Sequence, residues 1–97
     1  MSDAPTTNPG LTPPSPGQQL TAARNARHLS IDELSQRTKI RGSILRAIEE
    51  DRYEALPRVR VYVRGFVQSF AAAVGMEPDP ITAQFLDAWE HAQRPDD

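Results

Sequence analysis

Ser30-Ile31-Asp32-Glu33-Leu34-Ser35-Gln36-Arg37-Thr38-Lys39-Ile40-Arg41-Gly42-Ser43-Ile44-Leu45-Arg46-Ala47-Ile48 is the stretch that decides how this chain folds. Ser30 with Glu33 three residues on has the spacing of a capping box, in which each side chain satisfies a backbone N–H of the other. The spacing predicts a helix to about Arg37, with Ile31, Leu34 and the later Ile40 on its buried side. Thr38-Lys39 makes a turn. A second helix follows over about Arg41 to Glu50, with Ile44, Leu45 and Ile48 on one face and Gly42, Ser43, Arg46, Ala47 and Glu50 around the other. A short capped helix, a tight turn and a second helix are the layout of a helix-turn-helix.

Working outward, a preceding helix is expected over about Gln18 to Arg27, with Leu20, Ala23 and Ala26 inward and Arg24 and Arg27 at the rim. His28-Leu29 breaks it, and His28 reads as an ordinary polar turn residue. Downstream, Asp51 to Arg58 is a connector that Tyr53 and Leu56 pin to the core, ended by Pro57 because the residue before a proline is pushed out of helical conformation. A fourth helix is expected over about Val59 to Val74, closing at Gly75 as a left-handed C-terminal residue. On it Val59, Tyr62, Val63, Phe66, Val67, Phe70, Ala73 and Val74 fall within an arc of about 140°, wide for a helix that touches only its own core. Asp79-Pro80 reads as N-cap and first residue of a fifth helix, with Ile81, Phe85, Ala88, Trp89 and Ala92 as its apolar stripe. There is no strand alternation and no fixed-period repeat. The expected fold is all-α, a compact five-helix bundle containing a helix-turn-helix.

The chain of 97 residues allows one small domain. Residues 1–16, with Pro5, Pro9, Pro13, Pro14 and Pro16 among Ser, Thr and Gly, read as a disordered proline-rich leader. Its Pro13 to Pro16 spacing is a formal PxxP that reads as a solubilising tail. The domain itself is expected over 17–92, with an acidic tail over 93–97. There is no cysteine, and His28 and His91 are too far apart to suggest a zinc pair, so no metal or cofactor is expected. No run of eighteen apolar residues and no basic-then-apolar start is present, which makes a cytoplasmic setting the default. The net charge of -2 hides an asymmetry: Gly17 to Met76 holds ten Lys or Arg against six acids, while Glu77 to Asp97 holds six acids and one Arg. A basic module attracts either nucleic acid or an acidic protein surface.

For DNA, base reading requires side chains such as Arg, Asn or Gln projecting from the second helix of the motif. The candidates are Lys39, Arg41, Ser43 and Arg46, with Arg24 and Arg37 as further cations for salt-sensitive contact. One arginine on the reading helix is a thin code. Glu49, Glu50 and Asp51 at its far end would oppose phosphate unless paired internally. Repressors of this shape commonly carry a glutamine at the first position of the preceding helix, and here that position is Ile31, which cannot hydrogen-bond.

For a protein partner, Tyr62, Phe66 and Phe70 recur every four residues and share one stripe of the fourth helix. Phe70, central in the arc, reads as core, and Tyr62, at its edge, as partly exposed. Gly65 lowers helix propensity by roughly 1 kcal/mol relative to alanine, which calls for a steric reason such as close approach of another backbone, from this chain or from a partner. Arg58, Arg60 and Arg64 crowd the helix start, where the dipole disfavours them. Glu54 and Asp51 could offset them from within, or an acidic partner groove from without. Phe85 and Trp89 could anchor a dimer, but Trp89 reads as core-covering and a monomer is expected.

The segments Gly17-Gln18-Gln19-Leu20, Ala23-Arg24, Leu29-Ser30, Thr38-Lys39-Ile40, Ala47-Ile48-Glu49-Glu50-Asp51 and Tyr62-Val63-Arg64-Gly65-Phe66-Val67-Gln68-Ser69-Phe70-Ala71 together resemble the N-terminal cytoplasmic domain of RodZ-type bacterial cell-shape proteins, on a scaffold like that of the Cro/C1 repressors. The resemblance covers about Gly17 to Leu86. It implies a five-helix domain that binds the actin-like filament protein MreB through its fourth helix, with the family's two important aromatic positions falling on Tyr62 and Phe66. The basic juxtamembrane stretch, transmembrane helix and extracytoplasmic domain usual in the family do not follow here. The chain is therefore expected to be either a fragment of a membrane-tethered protein or a stand-alone relative.

No nucleophile and base pairing, glycine-rich phosphate loop or metal-ligand cluster is evident, so the chain does not read as an enzyme. The expected function is a non-enzymatic adaptor that binds an MreB-like protein, or another bacterial polymer or polarity factor, through Tyr62, Phe66, Gly65 and the arginines 58, 60 and 64. The alternative is a DNA-binding regulator using helices two and three. Replacing Tyr62 or Phe66 by alanine is expected to leave stability close to wild type.

Overall fold

The computed structural model describes residues 13–94. Five helices follow one another: α1 (Pro16–Ala26), α2 (Ile31–Thr38), α3 (Gly42–Glu49), α4 (Arg60–Ala73) and α5 (Pro78–Gln93), with a 3-10 turn, Tyr53–Ala55, between α3 and α4. Among the described residues there is no strand, and the all-helical bundle expected from the sequence is what forms.

The helix-turn-helix is built by local chemistry. The Ser30 hydroxyl accepts from the Glu33 amide at 3.0 Å and the Glu33 carboxylate accepts from the Ser30 amide at 2.9 Å. The hydrogen bond from the Ser30 backbone N–H, and then the Ser30 side chain, hold the Glu33 carboxyl below its usual range, the carboxylate form being the one Ser30 stabilises. α2 ends where Lys39 turns left-handed at φ 63° with its N–H on the Ser35 carbonyl. Thr38 and Ser35 side chains close the turn, Thr38 Oγ1 donating to Leu34 O at 2.8 Å and Ser35 Oγ to Ile40 O at 2.5 Å.

α1 starts two residues before the expected Gln18, because Ser15 and Gln18 form a second capping box with Pro16 in the first turn. The expected leader otherwise lies outside the described residues, as does most of the expected tail. Gly17 is buried against the end of α3: a Cβ there would sit closer than 3.0 Å to the carbonyl oxygens of Ile48 and Glu49 and to the Asp51 carboxylate. Asp51, itself left-handed at φ 55°, accepts from the Ser15 hydroxyl, the Gly17 amide (3.0 Å) and the Tyr53 hydroxyl (3.1 Å). The carboxylate thus ties the positive end of α1 to the end of α3.

Leu20, Leu34, Leu45, Ile48, Val63, Val67, Phe70 and Phe85 are wholly enclosed. α4 and α5 pack along each other, while α3 meets α1, α2 and α4. Being covered on several sides widens the buried arc of α3, so Ala47 is inside although the single-stripe pattern places it outside. Ala26 and Ala92, expected inward, are exposed near helix ends that nothing covers. Tyr53 packs edge-on against Phe85 with ring centroids 5.3 Å apart. Burial, then the neighbouring Asp51 carboxylate, pushes the Tyr53 hydroxyl up to about 12.

α5 begins two residues earlier than the Asp79-Pro80 reading: Glu77 is its N-cap and Pro78 its first residue. Both prolines fit because the first turn has amides with no intrahelical acceptor to lose. Gly75 takes the expected left-handed conformation at φ 79°, against the Arg27 guanidinium.

Candidate functional site

Val59, Val61 and Tyr62 stand out of the first turn of α4 at 44%, 64% and 58% exposure, the exposed large hydrophobics among the described residues. Val61 points opposite the apolar arc, and Val59, expected within it, serves instead as the extended N-cap residue. Tyr62 is exposed at the arc's edge as its position predicts, and Phe70 is fully enclosed. Arg58, Arg60 and Arg64 interleave with these apolar groups and are all exposed.

Neither Asp51 nor Glu54 offsets those arginines. Asp51 is committed to α1, and Glu54 lies 3.7 Å from Arg52. The acid that sequence spacing missed is Glu90 of α5, whose Oε2 is 2.5 Å from Arg60 Nε. Arg58 and Arg64 have no ion pair within 4 Å among the described residues.

Phe66 is half-buried. Its ring packs partly on the core and lines a hollow of about 330 Å³ together with Lys39, Ile40, Arg41 and Ile44. The fourth-helix and helix-turn-helix candidates, which the sequence kept apart, thus adjoin. Ser43 and Arg46 are exposed on the outer side of α3. Gly65 is exposed, and a Cβ built on it meets nothing within 4 Å, so no backbone among the described residues makes the close approach considered for it. On the other flank of α4, Arg60, Arg64, Gln68 and Leu86 line a cleft of about 240 Å³ with Thr82, whose buried Oγ1 has no hydrogen-bond partner among the described residues.

Of the acids at the end of α3, Glu49 and Asp51 are internal fasteners, while Glu50 is exposed and lies 3.4 Å from the exposed Arg52. Glu49 takes two bonds from Arg24, at 2.5 and 3.1 Å, and Arg24 also donates to Leu29 O at 2.7 Å. The Glu49 hydrogen bond raises the Arg24 guanidinium above its ordinary range, and the locked geometry removes Arg24 from the DNA-contact candidates. Phe85 and Trp89 are buried, which removes them as anchors for self-association. Among the described residues no group of His, Asp or Glu could hold a metal ion, and no helix is long and apolar enough to cross a membrane.

The helix-turn-helix platform defines the class, and comparison with known proteins agrees. A family model described as a helix-turn-helix domain matches residues 19–81. The chain belongs to that family, and its domain is of the RodZ type. It is 35% identical over 74 residues to the cytoskeleton protein RodZ of Streptococcus pneumoniae, covering 76% of this chain and 25% of that protein. It is 40% identical over 53 residues to the membrane protein YmfM of Bacillus subtilis, covering 55% of this chain and 18% of that protein. The solved structure of YmfM from Staphylococcus aureus, a membrane protein for which DNA binding is suspected, superposes with a TM-score of 0.70 at 29% identity, covering 77% of this chain and 90% of that one. The chain spans a quarter or less of the length of the two curated relatives.

Proposed function

We propose that this domain is a non-enzymatic adaptor that binds a bacterial cytoskeletal protein, an MreB-like actin homologue or another polymer, through α4. The observation that carries the reading is the cluster of Val59, Val61 and Tyr62 left in water between arginines. A small domain that encloses Phe70, Phe85 and nine-tenths or more of Trp89 has no internal use for an aromatic ring held outside. Tyrosine and arginine around an apolar centre are the groups that dominate interface energetics. Phe66 and its hollow extend the surface toward Lys39 and Arg41.

Co-sedimentation of the domain with polymerised MreB-like protein tests this. The wild type pellets with filaments and Tyr62→Ala does not. Phe66→Ala is the poorer probe, since its ring is half in the core and its loss costs roughly 1 to 3 kcal/mol of stability as well.

A second reading, DNA binding through α3, is favoured by the exposure of Lys39, Arg41, Ser43 and Arg46 and by the likeness to YmfM. Against it stand Ala47, which is buried and cannot read, and Ile31, half-buried where repressors carry glutamine. A selection from random duplexes decides: enrichment of one motif puts the regulator reading first.

A further inference from the structure

We infer that Gly65 is the crossing point at which an acidic helix of the partner lies across α4, its backbone against the glycine; this rests on the adaptor reading above. Gly65 is in the middle of α4 and exposed. Its backbone is not left-handed, and a Cβ there meets no atom of the described residues within 4 Å. Neither conformation nor internal packing calls for glycine, in contrast to Gly17, where packing against the end of α3 does, and Gly75, where the left-handed φ does.

The neighbours on the outer face give the gap a shape. Val61 stands one turn before Gly65 and Tyr62 beside that turn, both large and exposed; Ser69 and Ala72 follow, both small and exposed. The face steps down at Gly65 and stays low. Helix axes approach to about 8 Å rather than 10 Å only where the residues at the contact are small. A helix seated at this step presses its apolar side chains against Val61 and Tyr62.

Charge states what that helix carries. Arg58 leads into α4 just before its N-cap Val59 and Arg64 is the chain neighbour of Gly65; neither has an ion pair within 4 Å among the described residues. Cations flanking an exposed apolar step match an amphipathic helix whose rim is acidic.

The experiment compares wild type, Gly65→Ala, Gly65→Leu, Tyr62→Ala and the Arg58→Ala/Arg64→Ala double variant in co-sedimentation with polymerised MreB-like protein, with thermal melts alongside. Both glycine variants keep or raise the melting temperature, because alanine and leucine are better helix formers than glycine. Gly65→Ala weakens binding about tenfold, equivalent to ~1.4 kcal/mol, Gly65→Leu removes detectable binding, and the arginine variant binds more weakly with a flatter salt dependence. Wild-type affinity in both glycine variants, with Tyr62→Ala still defective, overturns the crossing point and leaves the adaptor reading standing. Unchanged binding by the arginine variant overturns the acidic chemistry. No pelleting of the wild type removes both the adaptor reading and the crossing point.

Discussion

Asp51 offers the sharpest test of how the fold is fastened. Its carboxylate receives the Ser15 hydroxyl, the Gly17 amide at 3.0 Å and the Tyr53 hydroxyl at 3.1 Å, in a part-buried site. Hydrogen bonds to a charged acceptor contribute about 1.5 to 3 kcal/mol each, and three sharing one group fall short of their sum, so about 3 kcal/mol is at stake. Alanine at a left-handed position adds about 1 kcal/mol of strain, whereas asparagine tolerates it and keeps one acceptor oxygen. Asp51→Ala is therefore expected to cost about 4 kcal/mol and Asp51→Asn about 1 to 2 kcal/mol. A domain of this size has roughly 4 to 12 kcal/mol in total, so the alanine variant loses about a third or more of its stability. Urea unfolding followed by far-UV circular dichroism measures both. If Asp51→Ala unfolded within about 0.5 kcal/mol of wild type, as an ordinary surface change does, the fastening role would be refuted.

Three further outcomes follow from named contacts. Gly17→Ala forces a methyl into the carbonyl oxygens of Ile48 and Glu49 and is expected to destabilise by about 2 kcal/mol or more in the same urea experiment. Tyr53 is neutral in the folded state up to about 12 but ionises near 10 when exposed; its contribution is whole below pH 10 and is lost as pH rises from 10 to 12, a fall that Tyr53→Phe removes from the stability profile. Ser30→Ala deletes the α2 cap and costs about 1 kcal/mol; because the Glu33 carboxyl is held below its usual range, the share of the cap made by its carboxylate is present above the ordinary carboxylate range and is lost as pH falls through and below it.

What could be read from the sequence was what local spacing determines. The Ser30 and Glu33 cap, the left-handed Gly75 and the enclosed Phe70 each depend on residues within one helix or one turn. The Ser15 and Gln18 cap had the same signature and was hidden by the proline-rich stretch preceding it. The pairings that crossed helices were not legible: Arg24 with Glu49, Arg60 with Glu90, and Asp51 with the start of α1 link residues 25 to 36 apart. Ala47 went inside for the same reason, since a helical wheel assumes one covered face and α3 has several. At the site, Tyr62's exposure followed from its place on the wheel, while Val61 was overlooked because attention stayed on the apolar arc it opposes. That Phe66 adjoins Lys39 and Arg41 required knowing how α4 crosses the turn.

The central claim is that Tyr62 is outside the fold for a partner's sake. At 58% exposure its truncation is expected to shift stability by no more than about 0.5 kcal/mol. The direct measurement is co-sedimentation of Tyr62→Ala with polymerised MreB-like protein, beside its melting curve. The account predicts an unchanged melt and lost pelleting; an unchanged melt with wild-type pelleting would contradict it.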